Sequence, residues 1–152
     1  MLVKLVPVAE VLDLRWHVLR PGRPRDTALT DVDLLPDTFH VAVYTDSGDL
    51  GACATFSTEP PPDDVSGGTF TAVEVRRLRK MASAPDLRGQ GFGSAALRAG
   101  MDESAARGAR LLWCSGRLAA AGFYRHHGFT AVGAQFTVPA IGEHYHFVRE
   151  LG

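Results

Sequence analysis

The densest chemistry in this sequence lies in the run Arg76-Arg77-Leu78-Arg79-Lys80-Met81-Ala82-Ser83-Ala84-Pro85-Asp86-Leu87-Arg88-Gly89-Gln90-Gly91-Phe92-Gly93-Ser94-Ala95-Ala96-Leu97. It reads as a strand, a turn closed by Pro85, a glycine-rich loop and the start of a helix. The first amides of a helix have no intrahelical acceptor, and the helix dipole adds roughly half a positive charge at that end. A phosphate is the natural ligand of such a place. Glycine lets a bulky anion reach the backbone without meeting a Cβ. Arg88, beside the loop, supplies a formal charge.

Two common phosphate-binding motifs fit poorly. A P-loop ends in Gly-Lys-Ser/Thr, which is absent. Gly91-x-Gly93-x-x-Ala96 satisfies a permissive dinucleotide fingerprint, which requires an acidic residue roughly 20 positions on to hold the ribose. That region is Leu111-Leu112-Trp113-Cys114-Ser115, without a carboxylate, and too little chain follows for a doubly wound fold. The histidines invite a metal reading, because His144 and His146 share a strand face and His126 and His127 are adjacent. No third ligand is identifiable, so no metal is expected.

The elements that must position the loop follow from periodicity. Leu2 to Val6 reads as a first strand. Val8, Val11, Leu12, Trp16 and Leu19 fall at helical spacing and predict an amphipathic helix up to Arg20. Pro21-Gly22 stops it, and Arg23 to Asp37 reads as a loop or broken helix. His40 to Thr45 and Leu50 to Ser57 flank Asp46-Ser47-Gly48-Asp49, a hairpin signal. Glu59 to Gly68 reads as a long, mobile hairpin tip. Phe70 to Ser83 reads as one long strand, Gly91 to Arg107 as a helix ended by Gly108, and Leu111 to Cys114 as a short buried strand. Leu118 to His127 predicts an alanine-rich helix closed by Gly128. Phe129 to Val138 and Glu143 to Glu150 read as two last strands around Pro139. Arg76, Arg77, Arg79 and Lys80 put charge on both faces of a strand that should be central, which a bulge or a polar cleft would explain.

Composition bounds the rest. The 152 residues are enough for one domain with a real core, here residues 1–152, and the 45% hydrophobic and 22% charged contents are ordinary for a soluble globular chain. A net charge of −1 gives no pull toward nucleic acid or an anionic membrane. Between Glu103 and Glu143 there is no acidic residue, while Arg107, Arg110, Arg117 and Arg125 lie there. That local basicity suits an anionic cofactor, although solvated helix faces account for most of these arginines. Cys53 and Cys114 are far apart within apolar runs and read as reduced core residues of a cytoplasmic protein. No apolar run spans a bilayer and no signal peptide is evident.

Arg88-Gly89-Gln90-Gly91-Phe92-Gly93 resembles the Arg/Gln-x-x-Gly-x-Gly/Ala signature of the GNAT superfamily of acetyl-CoA-dependent N-acetyltransferases. Leu78 to Pro85 before it resembles the family's fourth strand and turn. After a helix and a short strand, Ala119-Ala120-Ala121-Gly122-Phe123-Tyr124-Arg125-His126-His127-Gly128-Phe129 resembles its Ala-x-x-Phe-Tyr-x-x-x-Gly-Phe signature. The match covers Phe70 to the C-terminus; the first 60 or so residues match only in their strand–helix–hairpin order. Pro139 to Phe147 is similar to the Gly-Ile-Pro-His segment of the ElaA-like branch, with Ile141-Gly142-Glu143-His144 in its place. The resemblance implies an α/β (α+β) fold with a mixed, mostly antiparallel sheet of six to seven strands and helices on both faces.

The resemblance also implies roles. The backbone of Met81 and Ser83 would pair with the pantetheine arm of acetyl-CoA, and the amides from Arg88 through Gly89, Gln90, Gly91, Phe92, Gly93 and Ser94 would take its pyrophosphate. Tyr124 matches the tyrosine placed near the coenzyme sulfur. Reference pKa values near 10 for tyrosine and 8.5 for a thiol make full proton transfer to the thiolate uphill by about 2 kcal/mol, so a hydrogen bond serves as well as a discrete acid. An amine near pKa 10.4 must lose a proton before it attacks a thioester. Glu74, His144 and Glu143 are the candidate bases, histidine having the best-placed ordinary pKa; a water chain is the alternative. Relatives often carry an asparagine after the fifth strand, where Ser115-Gly116-Arg117 stands here, and Arg117 could replace that contact by charge.

The implied activity is transfer of acetyl from acetyl-CoA directly to the amine of a small molecule or peptide, without a covalent enzyme intermediate, since no cysteine sits in a fitting motif. An inactive acyl-CoA-binding protein and a nucleotide-binding regulatory module are the alternatives. Homodimers are common in the superfamily. The acceptor would depend on the first helix, the segment from Arg23 to Asp37 and the chain near Pro60.

Overall fold

Alternation and β-branched content turn the N-terminal part of the chain into three antiparallel strands, β1 (Leu2–Val6), β2 (Phe39–Tyr44) and β3 (Leu50–Ser57). The computed structural model describes residues 1–62, 70–139 and 141–151. The expected hairpin tip from Glu59 to Gly68 therefore lies largely outside the described residues. The β2–β3 turn closes as its sequence predicts: the Thr45 amide donates to the Asp49 carbonyl at 2.8 Å, and Gly48 adopts φ 92°.

Contacts divide the chain into two compact units, Met1–Ser57 with Leu78–Ser104 and Thr58–Arg77 with Ala105–Gly152. Strand β4 (Val75–Ser83) runs through both. The sheet has seven strands in the order β1-β2-β3-β4-β5-β7-β6, with β5 (Leu111–Arg117), β6 (Thr130–Val138) and β7 (Gly142–Glu150). β4 and β5 pair in parallel, whereas the β1–β2, β2–β3, β5–β7 and β6–β7 pairs are antiparallel. The expected mostly antiparallel sheet of six to seven strands is the one observed. Among the described residues no helix is long and apolar enough to cross a membrane.

In the first unit, helix α2 (Phe92–Ala106) packs on β3 through two glycines. A Cβ on Gly51 would lie 2.4 Å from the Phe92 ring, and one on Gly100 would lie 1.9 Å from the Phe56 ring. Each glycine makes room for one aromatic ring, and Phe56 in turn stacks on Phe39 at 5.1 Å. Close packing of this kind tolerates no added methyl without displacement.

The first helix differs from its prediction. A 3₁₀ turn (Val8–Glu10) precedes α1 (Leu12–Leu19), and the one helix residue that is buried is Arg15. Its guanidinium forms a two-pronged pair with the Asp33 carboxylate at 2.8 and 2.9 Å, donates to the Ala28 carbonyl at 3.2 Å and reaches Thr55 Oγ1. Asp33 belongs to a 3₁₀ turn (Asp31–Leu34), where it and Thr30 form a reciprocal capping box. His40 Nδ1 lies 2.8 Å from Thr55 Oγ1 and 3.3 Å from the arginine. The segment from Arg23 to Asp37 is thus a pair of short 3₁₀ turns, Arg25–Ala28 and Asp31–Leu34, held by a buried ion pair.

The second unit departs from expectation in element bounds. Phe70 to Ser83 is not one strand: Thr71 and Glu74 form a capping box around a 3₁₀ turn (Ala72–Glu74), and the strand starts at Val75. The Thr-x-x-Glu spacing carries that signal. β5 runs three residues past the expected Cys114 because β7 pairs with its whole length, to Arg117↔His144. The predicted helix from Leu118 splits into a 3₁₀ turn (Leu118–Ala120) and α3 (Ala121–His126).

Burial of the polar cluster makes the first unit acid-sensitive. Burial and the Arg15 charge hold His40 below its usual 6.5, so the fold keeps it neutral. Burial alone would raise Asp33, but hydrogen bonds from Arg15 and Thr30 and the charges of Arg15 and Lys80 hold it well below the usual 3.8. Both groups bind fewer protons folded than unfolded, so stability falls with pH: below 6.5 through His40 and below 3.8 through Asp33. Urea midpoints from pH 8 to 3 should show both declines, and His40→Gln should flatten the first only. An unchanged first decline in that variant would contradict this account.

Candidate functional site

The glycine-rich loop belongs to the first unit. Met81 and Ser83 lie in β4 and are half-buried, while Arg88, Gly89, Gln90 and Gly91 are exposed. The Ala84 amide donates to the Gly51 carbonyl at 2.8 Å, which ties the loop's start to β3, and a 3₁₀ turn (Pro85–Leu87) follows. Gly89 and Gly91 adopt φ 79° and 89°, left-handed conformations closed to most side chains. A Cβ at either would meet nothing within 4 Å, so backbone conformation, not crowding, requires glycine there. Gly93 differs, being already inside α2. The Gly91 carbonyl accepts the Ala95 amide at 3.0 Å, which makes Gly91 the residue that opens the helix. The amides of Phe92 and Gly93 occupy the first turn of α2, where a helix offers no carbonyl of its own.

β4 carries its own irregularity. Lys80 has φ 54°, the one positive φ at a non-glycine among the described residues. Its ammonium donates to Thr30 Oγ1 at 2.6 Å and to Asp33 Oδ2 at 3.2 Å. Burial and the Arg15 charge lower its pKa, against the opposing pull of Asp33. The run of cations in this strand thus finds specific partners. Within the second unit Arg77 lies 4.4 Å above the Trp113 ring and pairs with Glu59 at 3.5 Å.

Tyr124 belongs to the second unit. It is 8% exposed, on α3, with its ring against Phe147 at 5.0 Å and Phe129 at 5.6 Å. The Cys114 side chain is a neighbour of its hydroxyl. Burial, then Cys114, pushes the phenol well above its usual range, so it is neutral at any physiological pH. Burial also pushes the Cys114 thiol up to about 12 and Cys53 to about 11. Both cysteines are free and buried, and neither is a thiolate near neutrality.

The candidate bases have unequal surroundings. His144 in β7 is buried, and its Nδ1 lies 2.9 Å from the Gly142 carbonyl. A carbonyl only accepts, so Nδ1 carries the proton and the lone pair sits on Nε2. The strand register sets His144 opposite Arg117 in β5 and Phe136 in β6. Glu74 instead accepts from the Thr71 amide at 2.9 Å and hydroxyl at 3.0 Å and pairs with Arg110 at 3.4 Å. The Thr71 amide, followed by its hydroxyl and Arg110, lowers the Glu74 pKa, which weakens it as a base. Glu143 is exposed beside His144. His146 packs on Phe136 and Trp113, and His126 and His127 touch each other at the end of α3. Among the described residues no three histidine, cysteine or acidic side chains converge where a metal could sit.

The sequence profile described as "Acetyltransferase (GNAT) family" matches residues 8–129. The chain belongs to the GNAT acetyltransferase family. It is 30% identical over 149 residues to the uncharacterized N-acetyltransferase YitI of Bacillus subtilis, covering 98% of this chain and 95% of that one. Its fold is that of Escherichia coli ElaA, with a TM-score of 0.75 at 18% identity over 98% of this chain and 99% of the other. An aminoglycoside 6'-N-acetyltransferase complexed with coenzyme A superposes with a TM-score of 0.70 at 14% identity, over 99% and 97%. The protein is an acyltransferase of this family.

Gly116 lies in Ser115-Gly116-Arg117, the stretch at the end of β5 where relatives often carry an asparagine. A Cβ on Gly116 would lie 2.6 Å from the Tyr124 ring and 2.9 Å from Phe147. The glycine keeps space for the tyrosine on its own strand–helix packing. Gly116→Ala should therefore cost about 1–3 kcal/mol in urea unfolding and shift the Tyr124 ring, read by near-ultraviolet circular dichroism. An unchanged stability and spectrum would show that the ring has slack to yield.

Proposed function

We propose that the 152 residues form one acetyltransferase domain that moves an acetyl group from acetyl-CoA directly to the primary amine of a small molecule or peptide. The observation that carries this reading is the loop whose two left-handed glycines deliver exposed backbone to the start of α2, directly after a strand broken at Lys80. That donor set fits a pyrophosphate: exposed backbone amides, a helix N-terminus and Arg88. Met81 and Ser83 would align the pantetheine arm. When bound, acetyl-CoA supplies an activated thioester whose carbonyl carbon an amine can attack.

His144 Nε2 is the proton acceptor for the attacking amine, because the Gly142 carbonyl fixes its tautomer. Tyr124 serves the departing sulfur as a hydrogen-bond donor. Its raised pKa makes complete proton transfer more uphill than the ordinary values already do, so the neutral hydroxyl stabilises charge without giving the proton up. The protonated, buried cysteines support direct transfer over an acyl-cysteine. A reducing, cytoplasmic setting suits the same two thiols.

Thiol release with a panel of amines tests the roles. Tyr124→Phe should lower kcat about 10- to 100-fold at saturating acetyl-CoA with coenzyme affinity nearly intact. His144→Gln should lower kcat/KM for the amine by a similar factor. Unchanged rates would remove each residue from the mechanism in turn. Gly91→Val places a β-branched residue at φ 89° and should abolish coenzyme binding with the far-ultraviolet spectrum preserved; normal affinity would place the phosphates elsewhere.

A further inference from the structure

Lys80 is a lysine in a backbone conformation that L residues other than glycine, asparagine and aspartate rarely adopt, in the middle of a strand. Such a residue persists only where its surroundings over-determine it. The side chain shows what does so. It is 18% exposed, and its ammonium is engaged by Thr30 Oγ1 at 2.6 Å and Asp33 Oδ2 at 3.2 Å. The anchor is itself rigid. Asp33 is pinned by both terminal nitrogens of Arg15 and by the Thr30 amide at 2.9 Å, and all of these groups belong to the same compact unit as Lys80. A solvated surface lysine would show neither the burial nor the double engagement.

The residues that follow are Met81 and Ser83, then the loop from Arg88 to Ser94. We propose that Lys80 is a positioning residue, whose clamp on Thr30 and Asp33 holds the left-handed break in β4 and so sets the backbone of Met81 and Ser83 for the coenzyme arm. The proposal rests on the acetyl-CoA reading above. It also ties the segment Thr30–Leu34 to the coenzyme strand, so a change on one is felt on the other.

Two variants separate clamp from charge. Lys80→Ala removes the clamp and leaves the conformational penalty; Lys80→Gly removes both. Calorimetric titration with coenzyme A should show about tenfold weaker binding by Lys80→Ala and a return to within about threefold of wild type by Lys80→Gly. Crystal structures of the two variants without coenzyme should show position 80 relaxed to negative φ in the alanine variant and still left-handed in the glycine variant. Equal losses of affinity in both, or an alanine that stays left-handed, would overturn the proposal while leaving the acetyl-CoA reading intact. No coenzyme A binding by the wild-type protein would sink that reading and this proposal together.

Discussion

Asp33 is a carboxylate buried against Arg15, with Thr30 and Lys80 completing its hydrogen bonds. Taking such a charge out of water costs several kcal/mol, and only near-complete pairing offsets it. The result is a constraint more than a source of net stability. Through it α1, the 3₁₀ turns of Arg25–Ala28 and Asp31–Leu34, and β4 must occupy one arrangement, while Thr55 and His40 bring in β3 and β2. Losing either member of the Arg15–Asp33 pair would strand the other, at ~3–5 kcal/mol. What the rest of the first unit offers, including the loop after β4, is built on that fixed point.

Other constraints are supplied by backbone and packing. Gly89 and Gly91 are required by their dihedral angles, Gly51 and Gly100 by the rings of Phe92 and Phe56, and Gly116 by Tyr124. Tyr124 is neutral because burial raises its pKa. His144 has one ring nitrogen, Nδ1, engaged by the Gly142 carbonyl.

Much of this was legible in the residues. The glycine-rich loop at Arg88 to Gly93 and the antiparallel hairpin around Gly48 follow from spacing and glycine placement, and the Phe123-Tyr124 motif from its resemblance to the family signature. Three features were not. Arg15 lies on the face of a helix whose apolar neighbours mark it as core-facing, and a sequence cannot show that its partner stands 18 residues on. The left-handed residue in β4 is a lysine, which has no local preference for that conformation, and its partners Thr30 and Asp33 lie 50 and 47 residues away in sequence. Gly116 stood unremarked within Ser115-Gly116-Arg117, because its steric role depends on the packing of Tyr124 and Phe147. The capping boxes Thr30–Asp33 and Thr71–Glu74 were readable from their spacing, and the second one takes Glu74 out of the run predicted as strand.

Calorimetric titration of the purified protein with acetyl-CoA, coenzyme A, NAD and ATP in parallel tests the central claim most directly. The account predicts saturable binding of acetyl-CoA and coenzyme A and none of NAD or ATP. Preference for NAD or ATP, or no binding of either coenzyme A species, would contradict it, since the loop between β4 and α2 would then serve another ligand.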